Sequence, residues 1–380
     1  MKRILLLGAT GSIGQQTLDI IEQYPDRFSL YGATAKSNHE VLRAITMRHP
    51  VHVVAIDAKY CEDFSDVKCY PLDQLKELVK ELPKDVVVVN ALVGSVGLVP
   101  TIEALRKHHD VLLANKETLV VGGEIIAPLL KRSKGRLIPI DSEHAALRNC
   151  LKGYQLSDVE KVVITASGGS LRDVPLERLE DVSKEEVLKH PNWSMGEKIT
   201  VDSATMMNKV FEVIEAHYLF NLPYEQIEVL LHQESVVHGL IYYKDGNIIT
   251  HMGPSDMRIP ILSALEDDKM LGYRSFFDLA KLKTLHFSRV DIKRYPLFDL
   301  GLSVARLKGM HVVTMNAANE VAVDLFLEEK IPFHMIEKII VECLDRFDNG
   351  VEMTLDSIIK HDQEVKDYVF KRYLGGVKDD

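Results

Sequence analysis

The sequence predicts an α/β protein: an N-terminal doubly wound (Rossmann-like) parallel sheet, then an α+β region, then a helical C-terminal stretch. Three observations carry this. Short apolar runs alternate with amphipathic segments through residues 1–140. From residue 141 the apolar runs cluster as strands around a hairpin signal, and from residue 302 helical periodicity takes over. Strand–helix alternation is the pattern of a parallel sheet covered on both faces.

The elements follow in order. Ile4–Leu7 reads as a buried strand, and Gln15–Tyr24 as a helix with Leu18 and Ile21 on its apolar face. Further strands are expected at Phe28–Ala33, Val51–Ile56, Val86–Asn90, Val111–Ala114 and Leu137–Ile140, with helices at Leu72–Leu82 and Pro100–His108 between some of them. In the second region Val159–Thr165, Val229–Val237, Gly239–Tyr243 and Ile248–His251 read as strands, the last two joined by the turn Asp245-Gly246. Residues 276–301 lack clean periodicity and read as a connector, while Ala317–Leu327 and Met335–Phe347 are the best helical segments beyond it. The expected domains are 1–140, 141–275 and 302–380, with the connector 276–301 between the last two.

Composition narrows the function. The 380 residues are 46% hydrophobic and 27% charged with a formal charge of −10. That is ordinary for a globular chain. The acidic balance argues against a nucleic-acid partner, which needs Lys and Arg to neutralise phosphates. No apolar run approaches the roughly 20 residues that span a bilayer, so no membrane partner is expected. The apolar run after Met-Lys-Arg is too short for a signal peptide. Four cysteines without a C-x-x-C pair fit a reducing, cytoplasmic setting.

Several motifs carry chemistry. Gly8-Ala9-Thr10-Gly11-Ser12-Ile13-Gly14 lies between a strand and a helix, where glycine lets backbone N–H groups approach a pyrophosphate. A tight ligand-free turn is the alternative. At the end of the second strand an NAD site usually has an acid for the ribose; here stand Lys36, Ser37 and Asn38, which favours NADP. Asp141 and Glu143, read as i and i+2 at a strand end, present two hard carboxylates suited to Mg²⁺ or Mn²⁺. An exposed acidic turn is the plainer reading. Ser203, Asn208 and Lys209 offer a hydroxyl, an amide and a cation for a phosphate, and Glu212 a third carboxylate. Lys116 and Glu117 end a strand, where ligands of such sheets sit. Ala166-Ser167-Gly168-Gly169-Ser170 is a candidate anion nest. His190 to Gly196, with the only tryptophan, Trp193, reads as a closing loop.

The runs GATGSIG (8–14), NALVGSVG (90–97), ANKE (114–117), DSEH (141–144), ASGGS (166–170), HPNWSMG (190–196), DSATMMNK (202–209) and NAANE (316–320) together resemble the 1-deoxy-D-xylulose 5-phosphate reductoisomerase family through nearly all of the chain. The resemblance implies an NADPH domain, a central catalytic domain that mediates homodimerisation, and a C-terminal helical bundle. It implies a divalent metal, Mg²⁺ or Mn²⁺, on Asp141, Glu143 and Glu212. It implies contacts to a phosphosugar substrate from Lys116, Ser142, Glu143, Ser167, His190, Ser203, Asn208, Lys209 and Glu212. Lys116, Asp141, Glu143, His190 and Glu212 would be the catalytic group. Thr10, Gly11, Ser12, Ile13, Asn115, Glu117 and Gly196 would touch NADPH. The chain departs from the family where Val210 replaces a glycine, where Ser255 takes the place of a proline, along Ala145-Ala146-Leu147-Arg148-Asn149 after the DSEH run, and where Lys36 stands for a common glycine. A divergent oxidoreductase acting on another phosphosugar and a non-catalytic dinucleotide sensor are the two rival readings.

Overall fold

The computed structural model describes residues 1–193, 195–266, 272, 273, 276, 278–347 and 350–374. The chain forms two compact units: residues 1–119, 125–145 and 256–273, and residues 120–124, 146–255 and 274–380. This differs from linear cuts at 140, 275 and 301, because the stretch Asp256–Tyr273 returns to the first unit. Its helix Arg258–Glu266 buries Ile261, Leu262 and Leu265 in the same core as Leu18, Phe28 and Ile45. Glu266 also accepts from the Arg27 guanidinium, Nε to Oε1, at 2.9 Å.

In the first unit β1 (Lys2–Leu7), β2 (Phe28–Thr34), β3 (Val53–Ile56), β4 (Lys68–Pro71), β5 (Val86–Asn90), β6 (Val111–Leu113) and β7 (Leu137–Pro139) form one sheet in the order β4-β3-β2-β1-β5-β6-β7. Every pairing is parallel. Ile4 to Leu7 are wholly buried, as expected of a strand covered on both faces. The order reverses at β1, whose neighbours are β2 and β5, so the crevice at the carboxyl ends of β1 and β5 is the ligand position in this topology. The expected strands all form, most within one or two residues of their predicted ends. The expected helix Leu72–Leu82 is instead a 3₁₀ turn, Leu72–Gln74, followed by the helix Leu75–Lys80. The cysteines require a correction: Cys61, in the turn Ala58–Phe64, is disulfide-bonded to Cys69 on β4, with Cα atoms 5.7 Å apart.

The second unit contains β8 (Val159–Ala166), β9 (Ile227–Leu231), β10 (Val237–Tyr243), β11 (Ile248–Met252) and β12 (Ser288–Arg289), ordered β11-β10-β8-β9-β12. β10 and β11 form the antiparallel hairpin signalled by Asp245-Gly246, and Gly246 adopts φ +90°. The expected single strand Val229–Val237 is broken. His232 N donates to the Ala166 carbonyl, Ser235 N donates to the His232 carbonyl, and Ser235 adopts φ +52°, which turns the chain between β9 and β10. The connector is more structured than its periodicity implied: β12 pairs with β9, and a helix opens at Pro296, where proline's fixed φ suits the first turn. Helices Pro296–Leu307, Met310–Leu327, Met335–Arg346 and Leu355–Leu374 complete the unit. Met310–Leu327 is buried nearly all round, and so reads as the central helix of its cluster.

Candidate active site and cofactor turn

β1 ends at Leu7, and Gly8 turns the chain at φ +83°. A Cβ on Gly8 would overlap the Ala91 carbonyl, and one on Gly14 would lie 2.6 Å from the Ala9 carbonyl carbon. Both glycines are therefore required by close backbone approach. Gly11 is the N-cap of the helix Ser12–Gln23 and brings no side-chain cap, which leaves the first-turn N–H groups for an anion. Gly11 and Ser12 are exposed, and Thr10 and Ile13 half-buried, along this rim.

A second turn lies beside it in the same unit. Asn90 Nδ2 donates to the Gly97 carbonyl (3.1 Å) and to Thr101 Oγ1 (2.9 Å). Asn115 Nδ2 reaches the carbonyls of Leu92 (3.0 Å) and Gly94 (2.9 Å) and Glu117 Oε2 (2.9 Å), while its Oδ1 accepts from Thr118 N and Thr118 Oγ1. The Asn115 side chain thus shapes the 92–97 turn. After β2, Lys36, Ser37 and Asn38 are exposed and residues 35–38 contain no carboxylate. Asn38 Oδ1 caps the helix His39–Arg48 by accepting from Val41 N (3.2 Å). Lys36 is held through its carbonyl, which accepts from Asp57 N at 3.2 Å.

Asp141 and Lys116 are both buried and ion-paired, Lys116 Nζ to Asp141 Oδ2. The strand geometry expected for Asp141 and Glu143 does not form. β7 stops at Pro139, and Ser142–Cys150 is a helix, with Asp141 Oδ1 accepting from Glu143 N at 3.3 Å. The Asp-Ser-Glu run is a helix start, because a carboxylate just ahead of a helix takes up its unpaired N–H groups. Ser142 Oγ donates to Glu143 Oε2 at 2.5 Å.

In the second unit β8 runs into the Ser167–Gly169 turn, where Gly168 and Gly169 adopt φ +84° and +69°. Ser167 Oγ accepts from Gly169 N (3.1 Å) and lies 2.9 Å from His190 Nε2. His190 Nδ1 accepts from the backbone N–H of Asn192 (3.2 Å) and Trp193 (3.0 Å). With Nδ1 committed as an acceptor, the neutral ring carries its proton on Nε2 and donates to Ser167. Burial, then the charge of Arg172, lowers the His190 pKa, which keeps this tautomer at neutral pH. Asn192 Nδ2 ties the same segment to the Gln233 carbonyl (2.6 Å) and Ser235 Oγ (2.9 Å), and the Trp193 ring lies edge-on to His238 at 6.1 Å. Ser194 of the expected closing loop lies outside the described residues. Gly196 is the N-cap of the helix Glu197–Thr205.

That helix carries Ser203, whose hydroxyl donates to the Ile199 carbonyl (2.8 Å). Met206, at φ +64°, links it to the helix Met207–Phe220. On the latter, Asn208 Nδ2 donates to Glu212 Oε1 (2.6 Å), and Lys209 Nζ meets Glu212 Oε2 and the Thr165 carbonyl (2.6 Å). Lys209 and Glu212 are both buried. Val210, the family departure, is also buried, and a Cβ on Gly301 of the helix Pro296–Leu307 would lie 2.7 Å from its Cγ1. Glycine at 301 makes room for valine at 210, and Asn208, Lys209 and Glu212 remain on one helix.

Sequence reading missed Arg172 and Asn192. Arg172 Nη1 donates to the Ser167 carbonyl at 3.0 Å, and its place two residues after the ASGGS run was the available signal. Asn192 lay inside a motif already singled out, but its tethering partners are 41 and 43 residues away.

Comparisons with known proteins identify the family. Family models described as 1-deoxy-D-xylulose 5-phosphate reductoisomerase and two C-terminal domains of that enzyme match residues 4–123, 137–220 and 252–368. The chain is 44% identical to a 1-deoxy-D-xylulose 5-phosphate reductoisomerase from Geobacillus sp. (strain WCH70), over 97% of this chain and 99% of that one. A homologue of the same name from an Exiguobacterium species is 43% identical, covering 99% and 100%. Among solved structures, a DOX-P reductoisomerase in complex with NADPH, fosmidomycin and magnesium superposes with a TM-score of 0.91 at 34% identity, covering all of both chains. The Zymomonas mobilis enzyme in complex with NADPH gives 0.87 at 35% identity, covering 96% of this chain and 97% of that one. The chain belongs to the 1-deoxy-D-xylulose 5-phosphate reductoisomerase family.

Proposed function

We propose that the chain converts 1-deoxy-D-xylulose 5-phosphate into 2-C-methyl-D-erythritol 4-phosphate, using NADPH and a divalent metal, in isoprenoid precursor synthesis. The observation that carries the site assignment is the set of buried carboxylates, each already holding a cation: Asp141 with Lys116, and Glu212 with Lys209. Such oxygens fit a hard divalent ion. Asp141, Glu143 and Glu212 are its proposed ligands. The ion, when bound, would supply Lewis-acid stabilisation of negative charge developing on the substrate. NADPH, when bound, would supply hydride.

The chain's own residues do the rest. The Gly8–Gly14 turn, with no room for a Cβ at Gly8 or Gly14, lets backbone N–H groups at Thr10–Ile13 meet the pyrophosphate. Lys36 and Ser37 take the 2′-phosphate, and Asn115, Glu117 and Gly196 line the cofactor. Ser167, His190, Ser203, Asn208 and Lys209 grip the substrate phosphate, which orients the reacting carbons and supplies remote binding energy. Neutral His190 fits this role as an N–H donor. Lys116 and Ser142 contact the polyol. Closure of the His190–Gly196 segment excludes water.

Among the described residues no helix is long and apolar enough to cross a membrane. Assembly as a homodimer in the cytoplasm belongs to the same proposal, and light scattering on the purified protein tests the dimer. Oxidation of NADPH, followed by absorbance, tests the activity. We expect turnover with 1-deoxy-D-xylulose 5-phosphate only in Mg²⁺ or Mn²⁺, and little with other ketose phosphates. Turnover on a different phosphosugar would support the divergent-enzyme reading, and NADPH binding without turnover would support the sensor.

A further inference from the structure

We infer that Asn319 is a positioning residue for the substrate phosphate, acting through Asp202 on the helix that presents Ser203. The inference rests on the reading that Ser203 lies at that phosphate. Asn319 belongs to the NAANE run, on the central helix Met310–Leu327, and is 117 residues from Asp202. Its Nδ2 donates to Asp202 Oδ1 at 2.9 Å, and both side chains are buried, at 0% and 2% exposure. The other oxygen of Asp202 lies 2.9 Å from Lys198 Nζ, one turn back on the same helix. Only the NH₂ end of an amide can meet a carboxylate. Asn319 Oδ1 correspondingly has no hydrogen-bond partner among the described residues, so Asp202 dictates the orientation of the amide.

The geometry around Ser203 explains why this bond matters. The helix Glu197–Thr205 is nine residues long, has no side-chain cap at either end and terminates at left-handed Met206. Such a short helix is marginal without tertiary anchors. On one side, Gly169 approaches it so closely that a Cβ there would lie 2.6 Å from the Ser203 carbonyl oxygen and 2.8 Å from Ala204 Cα. Gly169 belongs to the turn whose Ser167 meets His190. Asn319 holds the helix from the adjacent residue, Asp202. The two contacts together fix its rotation, and therefore where Ser203 stands relative to Ser167 and His190. A shift of about 1 Å in such a group can cost on the order of 100-fold in rate.

The test compares full-length wild type, Asn319→Leu, Asn319→Ser and Ser203→Ala. Readouts are KM and kcat for the phosphosugar, Ki for inorganic phosphate as competitor, Kd for NADPH, and Tm. For Asn319→Leu we expect KM and phosphate Ki to rise about tenfold, the scale of a hydrogen bond to a charged group. kcat should change less, and NADPH affinity not at all. If Asn319→Leu does not fold, Asn319→Ser, whose small side chain admits water beside Asp202, should move the same two readouts by a smaller factor. Wild-type phosphate Ki in a folded Asn319 variant, beside a raised Ki in Ser203→Ala, overturns the inference and leaves the phosphate reading standing. Unchanged phosphate Ki in Ser203→Ala overturns the phosphate reading itself, and the inference with it. A parallel loss of kcat, phosphate affinity and NADPH affinity with a lowered Tm makes Asn319 a general core residue, and likewise overturns the inference.

Discussion

The turn after β1 and the turn after β8 both follow a strand and both hold glycine at positive φ, at Gly8 and at Gly168 and Gly169. In the first, a helix follows at once, and the groups left over are backbone N–H donors at its start. In the second, the glycines bring side chains together: Ser167, His190 and Arg172 all converge on the turn. One turn is equipped by its main chain and the other by partners gathered from elsewhere in the sequence. A backbone site follows from glycine spacing and can be read within seven residues. A side-chain site depends on long-range contacts, so its residue types can be read from sequence but their partners cannot.

Four experiments break or sharpen this contrast, from the largest expected effect to the smallest. Asp141→Asn keeps shape but removes a charge from the proposed metal set, so turnover should fall roughly 10³-fold, given the several kcal/mol that Lewis-acid stabilisation contributes. Metal titration should move to higher concentration while NADPH affinity holds. A wild-type titration curve would take Asp141 out of the set.

Lys209→Ala should lower kcat/KM by about 10- to 100-fold, the scale of a charged hydrogen bond. Wild type and variant should handle the dephosphorylated ketose almost equally poorly. Because Lys209 also pairs with buried Glu212, a variant still markedly worse on that ketose would mean that its main task is to hold Glu212.

Alanine at Gly14 and at Gly169 should dissociate the two turns. Gly14→Ala should weaken NADPH about tenfold and spare inorganic phosphate. Gly169→Ala should do the reverse, since left-handed backbone costs an L-residue roughly 1–2 kcal/mol and the added Cβ presses on Ser203. Equal damage to both ligands from either change would end the contrast between the turns.

The smallest effect concerns pH. The folded-state pKa of His190 is lowered by burial and then by Arg172, below the usual 6.5. Between those values the unfolded chain binds the proton and the folded chain does not, so stability should fall as pH drops below about 6.5. Protonation at Nδ1 also ejects the N–H groups of Asn192 and Trp193, which Trp193 fluorescence should report. His251, pushed down to about 4 by burial and by His238, adds to the same trend. The difference between wild type and His190→Gln therefore isolates the His190 share.

The first unit was the more legible of the two. β5 has the expected ends because Val86–Val89 is an unbroken β-branched run closed by Asn90. The strand expected at Val229–Val237 runs past the end of β9 and through the turn because apolar residues flank His232–Ser235 on both sides and nothing local marks the positive φ at Ser235. The helix at Pro296 was missed although proline at a first helical position is a usable signal. The Asp141–Glu143 start was misread because strand and helix patterns both tolerate carboxylates two apart. The ion pair of Lys116 with Asp141 spans 25 residues and no local pattern announces it.

The close fit of Val210 against Gly301 bears on how this chain can recombine with its relatives. A chimera that imports only the helix around 301, with any larger residue at that position, forces a side chain to within about 2.7 Å of Val210 Cγ1. One that imports only the helix around 210, with glycine there, leaves a void facing Gly301. Where the other parent carries a larger residue at 301, crossovers between residues 210 and 301 should be poorly tolerated in a shuffled library.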